Sequence, residues 1–227
     1  MSALEKPLAT VKIHSEEKRG NGRWLSLHEV KFTDPSGTER SWEACRRISS
    51  RQNGAIAGAP SIDAVDLITI IKNSQGEATH VALVVQYRPA MGTYTIEFPS
   101  GLLDGNEHAS EAALRELEEE VGFSSKLGHA VKVIKTSSPV AYEPGMTNSC
   151  SRAVIIEVTM EQHELFGPES VRKPKLEDDE WSLQVAIMPL QGLSKSLQDL
   201  QSSTGGDSKL VLDSRLYAWA LGRELGY

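Results

Sequence analysis

Between Gly101 and Phe123 the chain reads GLLDGNEHASEAALRELEEEVGF. Glu116, Glu118, Glu119 and Glu120 stand almost side by side, and like charges at that spacing repel. Either water screens an ordinary exposed helix face, or a metal ion belongs there. A helix over about 109–121 puts Ala113, Leu114, Leu117 and Val121 on one arc, which is then the core face. Glu116, Glu119 and Glu120 fall opposite, at i, i+3 and i+4, so their side chains converge. Arg115 precedes Glu119 by four residues and can pair with it. Gly122 is placed to end the helix. The two glycines of GLLDGNE allow a tight turn and a close approach of backbone to ligand. Three carboxylates on one patch offer the hard oxygen ligands that Mg²⁺ or Mn²⁺ takes. A solvated charged face is the plain alternative.

The elements that must position this segment read mostly as β. ATVKIH (9–14) is a short strand candidate. RWLSLHEVKFTD (23–34) and TERSWEACRR (38–47) flank the turn signal PSG and pair as a hairpin. SSRQNGAIAGAPS (49–61) is a connector rich in small residues, which separates an N-terminal β segment (1–60) from a main domain (61–227). In that domain VDLITIIKN (65–73) and HVALVVQYRP (80–89) are buried strands. TYTIEFP (93–99) is a strand ending at Pro99. HAVKVIKTSS (129–138), SRAVIIEVTM (151–160) and EWSLQVAIMPL (180–190) are further strands, and SKSLQDLQSS and SRLYAWALGREL are helices. GPESVRKPKLEDDE (167–180) is a loop. Strands interrupted by a few helices give an α+β architecture rather than regular βαβ alternation.

Composition narrows the function. The 227 residues are 39% hydrophobic and 24% charged, as expected of a globular protein. A formal net charge of -7 argues against nonspecific nucleic-acid binding. Small anionic substrates stay open, because a metal or basic pocket overrules global charge locally. Cys45 and Cys150 make no disulfide framework and lack a nucleophile signature, so they read as packing residues in a reducing compartment. The N-terminus has no apolar signal-like run, and no stretch reaches membrane-spanning length. A cytoplasmic location, with the nucleus as alternative, is the expectation.

The 101–123 segment resembles the Nudix box in full: Gly101, five residues, Glu107, seven residues, Arg115, Glu116, Leu117, one residue, Glu119, Glu120, one residue, Gly122 and Phe123. That spacing is specific. The resemblance implies a hydrolase that cleaves a nucleoside diphosphate linked to another moiety, using a divalent cation and water. It implies a loop-helix-loop packed on a mixed sheet with helices on its faces. It also implies that Glu116, Glu119 and Glu120 ligate Mg²⁺ (Mn²⁺ as a substitute), with the Ser100 carbonyl as a further ligand. Arg115 would orient the glutamates, and Glu107 would support the loop or an outer metal. Such a cation neutralises a pyrophosphate, orients it and activates water. A carboxylate outside the helix then takes the proton. The loop 177–180 is the source of that base, with Glu180 preferred over Glu177, Asp178 and Asp179.

Outside the box the chain is similar to the ADP-ribose and ADP-sugar pyrophosphatases of the family. Pro139 stands where they carry a marker proline, and SSPVAYEPGMTNS and YRPAMGTYTIEFPSGL fit the same pattern. RWLSLHEVKFTDPSGTERSWEACRR is similar to their N-terminal segment. That resemblance implies a homodimer with exchanged N-terminal β segments, in which Trp24 and Trp42 sandwich an adenine. Stacking of this kind is worth about 1–3 kcal/mol per base. By the same resemblance Arg47 and Arg88 face phosphates or the terminal ribose, where guanidinium forks fit. Glu43 would read the adenine edge. The implied reaction is Mg²⁺-dependent hydrolysis of ADP-ribose to AMP and ribose 5-phosphate, with neither a nucleic acid nor a membrane as partner. Other substrates (a GDP-sugar, NADH, an oxidised nucleotide) and a non-catalytic nucleotide sensor are the rivals.

Overall fold

The computed structural model describes residues 10–48, 62–166, 174–204 and 209–226. The described chain falls into two units. One comprises the N-terminal segment to Asp63 together with Pro139–Ser151. The other holds Ala64–Ser138 and Arg152 onward.

The N-terminal unit is built on an antiparallel meander: β1 (Lys12–Asn21), β2 (Leu25–Thr33) and β3 (Glu39–Arg47), in that order. The PSG signal makes the expected hairpin turn. Asp34 accepts hydrogen bonds from the Ser36 and Thr38 N–H groups, and Gly37 takes the left-handed conformation at φ 86°. The pairing sets Val30 opposite Trp42 and Leu25 opposite Arg47. The first strand runs further than ATVKIH suggested, through the polar SEEKRG, because β2 supplies the ladder partners for its backbone. The segment 139–151 docks on β3, where the Cys45 N–H donates to the Met146 carbonyl at 2.8 Å. The expected connector at 49–61 lies outside the described residues.

The second unit is organised by a mixed sheet. Its strands are β4 (Ile62–Lys72), β5 (Ala78–Arg88), β6 (Thr93–Glu97), β7 (Ser100–Leu102), β8 (Ala130–Thr136), β10 (Cys150–Thr159), β11 (Gln184–Pro189) and β12 (Leu210–Leu212), while β9 (Val140–Ala141) belongs to the N-terminal unit, where it pairs with Cys150 and Ser151. The backbone order is β12-β6-β5-β4-β10-β8, with β12 parallel to β6 and β5 antiparallel to β6. β11 pairs with residues 80–85 of β5, overlapping both the β4 and β6 pairings. β4 and β6 therefore share the opposite edge of β5 in succession and splay apart. The chain leaves β6 through Pro99 and pairs back onto β4 as β7, so Ser100 and Gly101 lie at the fork.

Helices cover both faces of this sheet. Val81, Leu83 and Ile96 pack with Leu193 and Leu197 of α3 (Leu193–Ser203) and with Leu216 and Ala220 of α4 (Ser214–Glu224). A short α2 (Gln162–Phe166) precedes them in sequence. The alternate residues Ala82 and Val84 are fully buried on the other face. That face receives α1 (Ala109–Glu116) and the wider turn Leu117–Val121 that continues it. Among the described residues no helix is long and apolar enough to cross a membrane.

Candidate active site

The helix that carries the acidic cluster starts at His108, whose N–H donates to the Glu111 carboxylate at 2.9 Å. This closes the N-terminal turn of the helix. The helix is regular to Glu116 and then widens into one π-type turn, with the Gly122 N–H bonded to the Leu117 carbonyl at 3.0 Å. Gly122 ends it at φ 83°, the left-handed cap that the sequence anticipated. The core face differs from the expected arc. Ala112, Ala113, Leu117 and Val121 are fully buried, but Leu114 is exposed. The small side chains of Ala112 and Ala113 let the helix lie close to the sheet. The inward positions left over are taken by glutamates.

Glu116 and Glu120 are only 7% and 3% exposed, so the cluster is no solvated face. One oxygen each from Glu116, Glu120 and Glu180 lie within 4.8 Å of one another. Burial pushes the Glu116 carboxyl up to about 7 against the pull of Arg115, and Glu119 and Glu180 push it the same way. Burial likewise pushes Glu120 up to about 9, and the charges of Glu116 and Glu180 add to that. The backbone N–H of Ser100 donates to Glu120 at 3.0 Å, but one hydrogen bond does not offset this. Two buried carboxylates and a half-buried third within reach of one another favour a cation that joins them as anions. The donor set is all oxygen and fits a hard divalent cation.

Arg115 holds the surrounding loop to the helix. Its Nη1 donates to Glu116 at 2.7 Å and to Glu119 at 2.9 Å. Its Nε and Nη2 reach Glu107 at 3.2 and 3.1 Å, and Nη2 also reaches the Leu102 carbonyl at 2.9 Å. A planar fork with five donors suits this task. Glu119 thus faces Arg115 and lies outside the group of three. Gly101 has a steric reason to be glycine, since a Cβ there would sit 1.8 Å from the Glu116 carboxylate. With a side chain at this position the Glu116 carboxylate would have to swing aside.

Glu180 sits in a short 3₁₀ turn, Asp178–Glu180, and accepts the Glu177 N–H at 2.7 Å. Its rivals Glu177 and Asp178 are exposed, and the Asp179 side chain is not among the described groups. Arg88 is engaged by a partner that the sequence reading missed. Its Nε and Nη2 bind Glu97 bidentately at 2.8 and 2.7 Å, across the β5–β6 hairpin. The signal was available, because the hairpin register puts both residues on one face.

In the N-terminal unit Trp24 and Trp42 are 64% and 56% exposed, so neither is a core residue. The Trp42 Nε1–H donates to the Gly145 carbonyl at 2.8 Å, which fixes the ring plane. The Arg23 guanidinium lies 4.6 Å from the Trp24 ring centroid. Glu43 and Arg47 are exposed on the same strand as Trp42. The Gly145 acceptor could not be read from the chain, since it is a backbone group far away in sequence. Cys45 and Cys150 are free thiols, and Cys150 is buried.

The chain is similar to known proteins. The family model described as NUDIX domain matches residues 62–198. The chain is 31% identical over 209 residues to the ADP-sugar pyrophosphatase of Mus musculus, covering 92% of this chain and 85% of that one. It is 34% identical over 159 residues to the ADP-ribose pyrophosphatase of Saccharomyces cerevisiae, covering 70% and 62%. A solved structure titled as an ADP compounds hydrolase superposes with a TM-score of 0.60 at 19% identity, covering 98% of this chain and 97% of its own. That last likeness speaks to the fold alone.

Proposed function

This chain belongs to the Nudix hydrolases, which use a divalent metal, and from that premise we propose that it hydrolyses the pyrophosphate of ADP-ribose and related ADP-sugars with Mg²⁺. The observation that carries the reading is the group of Glu116, Glu120 and Glu180, two of them buried and all three able to share a cation, in a chain similar over most of its length to an ADP-sugar pyrophosphatase. Glu116 and Glu120 would hold the cation, Glu119 and the Ser100 carbonyl would complete its ligands, and Mn²⁺ could substitute. Once bound, a cation there would neutralise the pyrophosphate and make water a better nucleophile.

The chain's own residues do the rest. Arg115 keeps Glu116 and Glu119 oriented. Glu180 takes the proton from the attacking water as the new oxygen–phosphorus bond forms. The bridging phosphorus–oxygen bond breaks in the same event, giving AMP and ribose 5-phosphate or the matching sugar phosphate. Arg47 and Arg88 offer guanidinium forks to the phosphates or terminal ribose, and Arg88 stays anchored by Glu97. Trp24 and Trp42, one from each subunit, stack on the adenine, and Glu43 reads its edge. Exposure of both indoles supports that role.

The homodimer with exchanged N-terminal β segments draws support from the same unit. Val11, Ile13, Leu25 and Leu27 are exposed in this unit, as are Trp24 and Trp42. We assign the N-terminal segment to dimerisation and adenine binding, and residues 61–227 to hydrolysis. Free cysteines fit a cytoplasmic or nuclear setting.

The test is Glu180→Gln with ADP-ribose. The reading expects kcat to fall by about 10²–10⁴, the usual contribution of a positioned base, with little change in KM. It also expects loss of the acidic limb of the pH–rate profile. A wild-type profile in this variant would move the base elsewhere.

A further inference from the structure

The fourth glutamate of the run, Glu118, takes no part in the carboxylate group. Its side chain is 13% exposed and points the other way. Glu118 accepts the Ser124 hydroxyl at 2.7 Å and pairs with Lys175 at 2.6 Å. Lys126 stands 3.4 Å away. Lys175 is fifty-seven residues distant in sequence and lies five residues before Glu180. The same residue donates its backbone N–H to the Glu119 carbonyl at 2.7 Å. So one residue of the segment that carries Glu180 grips the acidic helix twice, once through its side chain and once through its backbone.

Little apolar packing holds that segment down. Residues 174–178 are exposed throughout, and apolar packing begins only after Glu180, where the exposed Trp181 ring lies 6.3 Å from that of Tyr87 and Leu183 is buried. Further along, the turn has hydrogen bonds of its own, and the Ser182 hydroxyl accepts the Tyr87 N–H at 2.9 Å. The turn is therefore clamped at both ends, to the helix by Lys175 and to β5 by Ser182.

We propose that Lys175 and Glu118 are positioning residues: their ion pair latches the turn bearing Glu180 onto the helix bearing Glu116 and Glu120, and so sets the distance between the base and the cation ligands. The proposal rests on the reading of Glu180 as base. It explains why the acidic run has a member facing away from the site. Lys175 acts only through the placement of Glu180 and touches no substrate.

The latch is tested with Lys175→Met, which changes a residue 61% exposed outside every strand and helix. Exposed ion pairs are worth little, but this one has a mostly buried partner and a reinforcing backbone bond, so we expect kcat to fall about three- to ten-fold. KM and the melting temperature stay near wild type. Lys175→Arg keeps kcat, and the exchanged pair Glu118→Lys with Lys175→Glu recovers activity relative to either single variant. In a Glu180→Gln background, Lys175→Met adds no further loss.

A readout independent of activity is amide hydrogen exchange in peptides covering 174–183. Lys175→Met speeds exchange at Lys175, Glu180 and Leu183, whose N–H groups are bonded in the docked turn. Unchanged exchange, or an equal loss of kcat in the Glu180→Gln background, overturns the latch. Wild-type kcat in Glu180→Gln alone would instead overturn the base assignment, while the exchange result would still decide whether the turn is latched.

Discussion

Glu120→Gln separates the electrostatic cost of the site from its use. A carboxyl in an unfolded chain ionises near the ordinary glutamate value, about 4.3. In the folded protein Glu116 keeps its proton to about 7 and Glu120 to about 9. Between those limits the folded state binds more protons than the unfolded one. Stability of the cation-free protein therefore falls as pH rises from about 5 to 9. For Glu120 alone at pH 8, about 3.7 pH units at about 1.36 kcal/mol each give an upper bound near 5 kcal/mol. Its coupling to Glu116 and Glu180 means the three share that cost, so about 2–3 kcal/mol is the working figure. Glutamine keeps the shape and an acceptor for the Ser100 N–H but removes the charge. We expect cation-free Glu120→Gln to melt about 5–10 °C above wild type at pH 8, from about 2–4 °C per kcal/mol for a chain of this size. At pH 5 the two should nearly coincide. Addition of Mg²⁺ should raise the wild-type melting temperature more at pH 8 than at pH 5 and should raise that of the variant far less. Turnover of the variant should fall by orders of magnitude. A variant less stable than wild type at pH 8, with its Mg²⁺ response intact, would refute the reasoning.

Gly101→Ala should leave the melting temperature within a few degrees, because the clashing Glu116 carboxylate can swing aside, yet lower kcat at least about tenfold by displacing it. Trp24→Ala and Trp42→Ala should raise KM with kcat largely kept, about five-fold or more each if stacking contributes about 1–3 kcal/mol. An unchanged KM in both would discard the adenine clamp. Arg115→Lys should reduce kcat and loosen the loop at Leu102–Glu107, since an ammonium cannot serve Glu107, Glu116, Glu119 and the Leu102 carbonyl together. Proteolysis or hydrogen exchange of that loop reads the second effect.

The parts of the site that were legible in the chain are those with short-range causes. The Gly122 cap, the PSG hairpin and the pairing of Arg115 with Glu119 follow from spacing along one element. Burial of Glu116 and Glu120 does not, because a 3.6-residue wheel places them on the polar side and cannot see the π-type turn or the neighbouring β7. The same wheel put Leu114 inside, where the structure leaves it exposed. The two- and three-residue strands β7, β9 and β12 carry too little pattern to register before their partners are known. The grouping of Pro139–Ser151 with the N-terminal meander depends on contacts about a hundred residues apart, such as Trp42 with Gly145. Lys175 was invisible for the same reason, its partner being the one glutamate of the run that the metal reading had no use for.

The most direct measurement is hydrolysis by the purified protein of ADP-ribose, ADP-glucose, GDP-mannose, NADH and 8-oxo-dGDP, with Mg²⁺ or with EDTA, the products resolved by chromatography. The account predicts AMP and ribose 5-phosphate from ADP-ribose, abolished by EDTA. Turnover confined to a guanine or oxidised substrate would contradict the adenine reading, and no turnover of any substrate with Mg²⁺ would contradict the assignment of the carboxylate group as a working active site.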